Sequence, residues 1–432
     1  MRSSGKLYRW VIAVSLVLFV MMTLSAYGET LHVSISTGKN KNAGTKEAPM
    51  KNLDKAIKKA KEGDSILVSE GTYSGTFNVG YIVIDKAVKL YGGYSADFAT
   101  RDVVNHPTLF QPDNKSGGKS RKALITLGAS GKGLDGAVLD GFIIDMGMRN
   151  SYSPDEGKPK GVETGMLLLP PKKAKGENAT VTEQCLFVKN GNKGGNVTIN
   201  NNVFLNSAKY AIQGSIPTGT LSITNNVFAS NRMASIEVWG TSAKEIANAE
   251  IANNTIIFTW SRLKDFMDMG YGVRVMTKMK YNIHHNIIGA SILTGIDNTR
   301  FAPDELVQLD NNVFFVNKQS DMQYSPESNT KLNLAADEFE DLELASVSGN
   351  INEVPKGLPI DKAYLEGFLS ARYAEEEDFD AESPANLMRE MLGLNKQGKL
   401  KTSVSMFGNR YPWKEALKLF GAVDAAGAKK PE

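Results

Sequence analysis

A short phrase recurs along the middle of the chain: Asn201-Asn202-Val203-Phe204, Asn225-Asn226-Val227-Phe228, Asn253-Asn254-Thr255-Ile256, His285-Asn286-Ile287-Ile288 and Asn311-Asn312-Val313-Phe314. Gln184-Cys185-Leu186-Phe187 and Asp140-Gly141-Phe142-Ile143 read as weaker copies upstream. The second residues stand at 141, 185, 202, 226, 254, 286 and 312, at steps of 44, 17, 24, 28, 32 and 26 residues. A β-rich repeat of about 25 residues points to a solenoid. Each unit then buries its apolar face only against its neighbours. This lets a chain of 432 residues grow in one dimension, without one oversized core.

The stretch from Val197 to Gly214 shows how one coil is built. Val197-Thr198-Ile199 alternates as a strand. Asn201-Asn202 makes a corner, where Asn tolerates left-handed geometry and bonds locally. Val203-Phe204-Leu205 and Ala211-Ile212-Gln213 are the second and third strands. Rungs stack about 4.8 Å apart. Inward Val, Ile and Phe then form a continuous core, and the corner Asn residues form a ladder. The repeated Asn residues are therefore read as structure, not as a ligand site.

The flanks follow from this reading. Residues 1–28 form a signal peptide, with Arg2, Lys6 and Arg9, an apolar run from Trp10 to Leu24, and small residues at Ser25 to Gly28. The expected location is secreted or periplasmic, with no membrane attachment after cleavage. The chain carries 50 Lys+Arg and 47 Asp+Glu, and three of the basic residues lie in the leader. The remainder is balanced, which argues against a nucleic-acid binder working by bulk charge. The single cysteine, Cys185, rules out an internal disulfide, and the four histidines show no metal-ligand spacing. The coil is expected over 29–317. Residues 318–432 form a helical or irregular C-terminal region, with helical patterns at Asp361–Tyr373, Ser383–Leu394 and Pro412–Leu419. This region is read as covering the coil's end, and Ala425–Glu432 as a loose tail.

The entrance is the most specific stretch. A helix from about Met50 to Lys61 places Leu53, Ala56, Ile57 and Ala60 on one face. It is followed by Gly63-Asp64, the strand Ser65-Ile66-Leu67-Val68 and the turn Gly71-Thr72-Tyr73. Such a helix caps an open coil end. This run resembles the first coil of the secreted right-handed parallel β-helix proteins, the pectate-lyase-like superfamily, and the later Asn phrases resemble its rungs. The resemblance implies an all-β right-handed parallel β-helix with an N-terminal capping helix. It also implies polysaccharide as the partner, and a groove on one face as the binding or active site. The superfamily spans lyases, epimerases, hydrolases, adhesins and proteins without known chemistry.

The third strand of each rung is where function is expected. With its apolar residues inward, Gln213, Glu237, Arg274 and Asp297 fall outward at one level of consecutive rungs. Trp239, Met276 and Thr299 form the next outward column. Excursions at 146–162 and 259–271 leave from the corner before this face and are placed to wall it. β-Elimination or C5 epimerisation of a uronate polymer needs a cation for the enolate, a base and an acid. Arg274 supplies the cation in this reading, with Lys278, Lys280 or Arg300 beside it. Glu237 or Asp297 supplies the base, and Tyr271 the acid. Gln213, Trp239, Tyr271, Lys278 and Arg300 contact substrate. Glu237 and Asp297 also suit the acid and base of an inverting glycoside hydrolase. No cofactor or metal site is called for, with Ca²⁺ the one ion these carboxylates would take.

Other readings stand beside this one. The charged triplet is equally a surface ion ladder of small energetic weight. Neither the aspartate cluster of Ca²⁺-dependent pectate lyases nor the Asp-Pro-His-Asp signature of alginate epimerases is present. A monomeric, non-catalytic carbohydrate-binding or scaffold protein in extracellular polysaccharide assembly or export is the main alternative. A surface adhesin ranks last.

Overall fold

The computed structural model describes residues 28–74, 82–112, 121–128, 133–146, 182–189, 193–207, 209–242, 244–260, 269–362 and 410–431, with single positions at 364, 365, 368, 386, 389 and 390. The leader lies outside them. So do the Pro- and Gly-rich excursion after Met146, residues 261–268 of the second excursion, and most of the two central helical patterns of the C-terminal region.

The chain winds as a right-handed parallel β-helix whose strands fall into three sheets. Sheet A has ten strands, from Thr30–Val33 to Ser346–Ser348. Sheet B has nine, from Gly71–Ser74 to Ile351–Asn352. Sheet C has nine, from Ile82–Ile84 to Leu332–Leu334. Pairing is parallel throughout, except that Leu332–Leu334 turns back antiparallel on Ser320–Tyr324. Inward side chains stack in register. Phe204 pairs with Phe228, and their rings lie 5.0 Å apart and nearly parallel. The helix Leu53–Lys59 buries Leu53, Ala56 and Ile57 in the same core, at the N-terminal end. Cys185 is fully buried, and burial pushes its thiol well above the usual range.

The corner between sheets A and B explains the recurring phrase. Its first residue adopts a left-handed conformation, with φ of 56° at Asn201, 54° at Asn225, 53° at Asn253 and His285, and 55° at Asn311. Its second residue is buried and forms a ladder. Asn254 Oδ1 accepts from Asn226 N at 2.9 Å, Asn286 Oδ1 accepts from Asn254 N at 2.9 Å, and Asn312 Oδ1 accepts from Asn286 N at 3.1 Å. The ladder passes from the Asn202 side chain straight to Phe142 N. Gln184 to Phe187 is therefore no rung of sheet B. It lies in the sheet C strand Thr182–Lys189. The odd steps of 44 and 17 residues are one rung with a long insertion.

Two further expectations change at the other end. The coil continues past Asn317 through Ser320–Tyr324, Ser346–Ser348 and Ile351–Asn352, and Asn350 extends the ladder by accepting from Asn312 N at 3.1 Å. At the coil's end Ala336 and Phe339 enter the core, and the Phe339 ring packs edge-on against Phe314. The later described part of the C-terminal region does not sit there. It lies along the outer face of sheet B, where Val203, Leu205, Val227, Ala229, Ile257 and Phe315 point away from the core. Tyr364, Leu365, Phe368, Tyr411, Leu417 and Phe420 cover them. Polar ties fix the strap. Trp260 Nε1 donates to Tyr364 Oη at 2.7 Å, and Tyr411 N donates to Asn206 Oδ1 at 2.9 Å. The last residues are held as well, with Gly427 N on His285 O at 2.8 Å and Ala428 N on Thr255 Oγ1 at 3.0 Å.

Candidate functional site

Sheet C presents the polar column that the alternation implies. Ile212, Ile236, Val273, Ile296 and Met322 enter the core. Their neighbours Gln213, Glu237, Arg274, Asp297 and Gln323 register directly against one another on the outer side. Gln184 Nε2 donates to Gln213 Oε1 at 2.6 Å, and Gln213 Nε2 donates to Glu237 Oε1 at 2.6 Å. Arg274 then bridges two carboxylates, with Nη1 3.0 Å from Glu237 Oε2 and Nε 2.8 Å from Asp297 Oδ2. Thr299 closes the run by donating to Asp297 Oδ1 at 2.6 Å.

The sequence placed these groups on an open groove. They point outward, yet the Glu237, Arg274 and Asp297 side chains are only 6, 7 and 0 % exposed. Burial alone would lower the Arg274 guanidinium, but the Asp297 and Glu237 charges outweigh it and hold the group above its ordinary value. Parallel stacking at about 4.8 Å lets one Arg reach the rung on each side. Pairing satisfies charges that would be costly to bury alone.

The other candidate residues divide. Tyr271 stands against the column, its ring centroid 5.2 Å from the Arg274 guanidinium carbon. Trp239 is half-buried on the outward side of the same strand as Glu237, in register with Ser215. Lys278 and Arg300 are exposed at the corner leading from sheet C to sheet A. Lys244 is also exposed at this corner, one rung before Lys278, and sequence reasoning missed it. Glu245, Asp304 and Glu305 share the corner, so it is of mixed charge. Lys280 lies on sheet A, in register with Asn248, and so does not stand beside Arg274 as expected. Trp260, at the start of the second excursion, packs under the C-terminal strap on sheet B and does not wall sheet C. A surface cavity of about 650 Å³ lies at the upstream part of the sheet C–sheet A corner, lined by Asp135, Lys193, Gly194 and Thr218 among others. Among the described residues no group of three or more His, Cys, Asp or Glu side chains is placed to hold a metal ion. No helix among them is long and apolar enough to cross a membrane.

The chain is similar to a small number of known proteins. A family described as "Protein of unknown function (DUF1565)" matches residues 36–126, the entrance and first rungs. No curated protein sequence matches the chain. Similar solved structures include the pectate lyase Pel9A, at 13% identity over 88% of this chain and 90% of that one, with a TM-score of 0.40. A lacto-N-biosidase of family GH136 from Eubacterium ramulus is 11% identical over 81% of this chain and 59% of its own length, with a TM-score of 0.37. A rhamnogalacturonan lyase is 12% identical over 83% and 94%, with a TM-score of 0.35. At this distance the likeness carries nothing about chemistry.

Proposed function

We propose that this right-handed parallel β-helix is an exported carbohydrate-binding protein that takes an acidic polysaccharide along sheet C and its corner without turning it over. The observation that carries the reading is the state of Arg274. A lyase or epimerase needs a cation free to meet the developing enolate, and a base free to take a proton. Arg274 donates from Nε to Asp297 and from Nη1 to Glu237, so two carboxylates already balance its charge, and each of them gives an oxygen to Arg274. Binding needs less. Trp239 offers a half-buried aromatic face for a sugar ring. Lys244, Lys278 and Arg300 offer exposed cations on consecutive rungs. Fold alone does not decide function.

Binding of uronate polymers and neutral glycans, with absorbance of unsaturated uronate and product stereochemistry followed in parallel, tests the proposal. The expected result is preference for acidic polymers, weakened at least fivefold in Trp239→Ala and in the Lys278→Ala/Arg300→Ala double variant, with no product. Absence of binding across the panel overturns the reading. Turnover that disappears in Arg274→Ala replaces it with the lyase or epimerase reading.

A further inference from the structure

Neighbouring residues of a strand point to opposite faces, so adjacent histidines are ordinarily poor partners. His284 and His285 escape that rule. His284 ends the sheet A strand Met279–His284 and faces outward. His285 takes the left-handed corner conformation, φ 53°, in the column that Asn occupies in the neighbouring rungs. The two Nδ1 atoms consequently lie 2.9 Å apart, with the ring planes at 87°. On the far side of the first ring, His284 Nε2 lies 2.6 Å from Glu250 Oε1. Asn282 Nδ2 holds the other carboxylate oxygen at 2.7 Å. A carboxylate acceptor places the His284 proton on Nε2 and leaves Nδ1 with its lone pair, which accepts from His285 Nδ1–H; metal binding requires the His285 proton to move to its Nε2. Carboxylate–imidazole pairs of this kind commonly stand behind metal-ligating histidines.

We propose that His284 and His285 bind one divalent transition-metal ion through their Nδ1 atoms, with Glu250 as the positioning residue. With metal–nitrogen bonds of about 2.05 Å, two cis ligands of a square-planar or octahedral ion lie about 2.9 Å apart, against about 3.3 Å for a tetrahedral ion. Imidazole nitrogen suits Cu²⁺ and Ni²⁺, and the affinity order of divalent ions puts Cu²⁺ first. Two protein ligands leave the remaining positions to water or an incoming oxygen ligand. The site is outside the sheet C column and does not depend on it. The two other histidines are engaged elsewhere. His32 Nδ1 meets Gly44 O at 3.2 Å, and His106 sits between Thr100 and Glu70.

Calorimetric titration of the full chain, freed of any affinity tag, with Cu²⁺ and with Ni²⁺ tests this, together with the electron paramagnetic resonance spectrum of the Cu²⁺ form. The expected result is one saturable equivalent with two-nitrogen hyperfine structure. His284→Ala should weaken binding at least tenfold. His285→Asn restores the residue that other rungs carry and keeps the corner, and it should do the same. Glu250→Gln should weaken it about 10- to 100-fold without changing the stoichiometry. The His32→Ala/His106→Ala double variant should bind as the parent does. No saturable uptake at high micromolar metal, or uptake that survives His285→Asn with its two-nitrogen signature, overturns the proposal and leaves the pair as a plain imidazole–imidazole hydrogen bond.

Discussion

Asn253 and Asn254 are neighbours of the same type in the same phrase, and replacing them should have very unequal consequences. Asn254 is fully buried. Its Oδ1 accepts from Asn226 N at 2.9 Å and Asn226 Nδ2 at 3.1 Å, and its Nδ2 donates to Ile223 O at 2.8 Å and Asn286 Oδ1 at 3.0 Å. In Asn254→Ala, Asn286 Oδ1 keeps the Asn254 backbone N–H, and Asn226 Nδ2 keeps Ile199 O and Thr224 O. The Asn226 N–H has no such reserve. A buried donor left unmade costs about 1–3 kcal/mol, and the lost bonds to Ile223 O and Asn286 Oδ1 add about 1 kcal/mol more, for a total of about 3 kcal/mol. Asn253 is half-buried, and its contribution is its φ of 53°. Glycine adopts that conformation without strain, so Asn253→Gly should change stability by no more than about 0.5–1 kcal/mol. Urea unfolding followed by circular dichroism measures both, with the slope checked for constancy because a repeat array can lose cooperativity. A loss under about 1 kcal/mol in Asn254→Ala, or an equal loss in Asn253→Gly, refutes the division of labour between the two corner columns.

Three other outcomes are expected. Arg274→Ala leaves two nearly unexposed carboxylates facing each other across a vacated rung and should cost about 3–5 kcal/mol. Adding Glu237→Gln and Asp297→Asn should recover part of that loss in the same urea assay. Burial raises the hydroxyls of Tyr73 and Tyr364 from 10.0 to about 12. The folded state then binds their protons more tightly than the unfolded one. Their contribution is complete below pH 10 and is lost as pH rises to about 12, so thermal midpoints should fall across that window and fall less in Tyr364→Phe. Gly427 has φ of 84°, and a Cβ there would lie 2.6 Å from Ile287 Cδ1. Gly427→Val should therefore release the end of the chain, seen as faster proteolysis after residue 410 with the strand signal of the coil unchanged.

The coil was legible because its corner demands one residue type twice, for two reasons, at every rung. Where the demand is met by other residues, the phrase fades and the sequence misleads. Gly349-Asn350-Ile351-Asn352 supplies the same geometry, with φ of 63° at Gly349 and the ladder carried by Asn350, yet it does not read as a copy. Gln184 to Phe187 does read as a copy and belongs to another sheet. The strap over sheet B left a trace that went unused. Val203-Phe204-Leu205, Val227-Phe228-Ala229 and Val313-Phe314-Phe315 are apolar at all three positions, whereas a strand with a solvated outer face alternates. Consecutive strands of this kind require a covering layer, which the C-terminal region supplies together with Trp260.

The candidate site shows the limit of the same reasoning. Alternation and register place Gln213, Glu237, Arg274 and Asp297 in one column, because both are properties of the backbone. Exposure is not. Whether a charge on an outer face meets water depends on its pairing across rungs and on what stands beside it, here Tyr271 and Thr299, and no period in a single strand encodes that. The pair at His284 and His285 fails for the opposite reason. Spacing rules assume that adjacent residues diverge, and a single left-handed corner residue reverses that. In this fold such a residue recurs on rung after rung at the same edge, so the corner columns are the positions where side chains adjacent in sequence converge. A search for further sites on this architecture should begin there, with pairs that straddle the corner, before it turns to columns along a strand face.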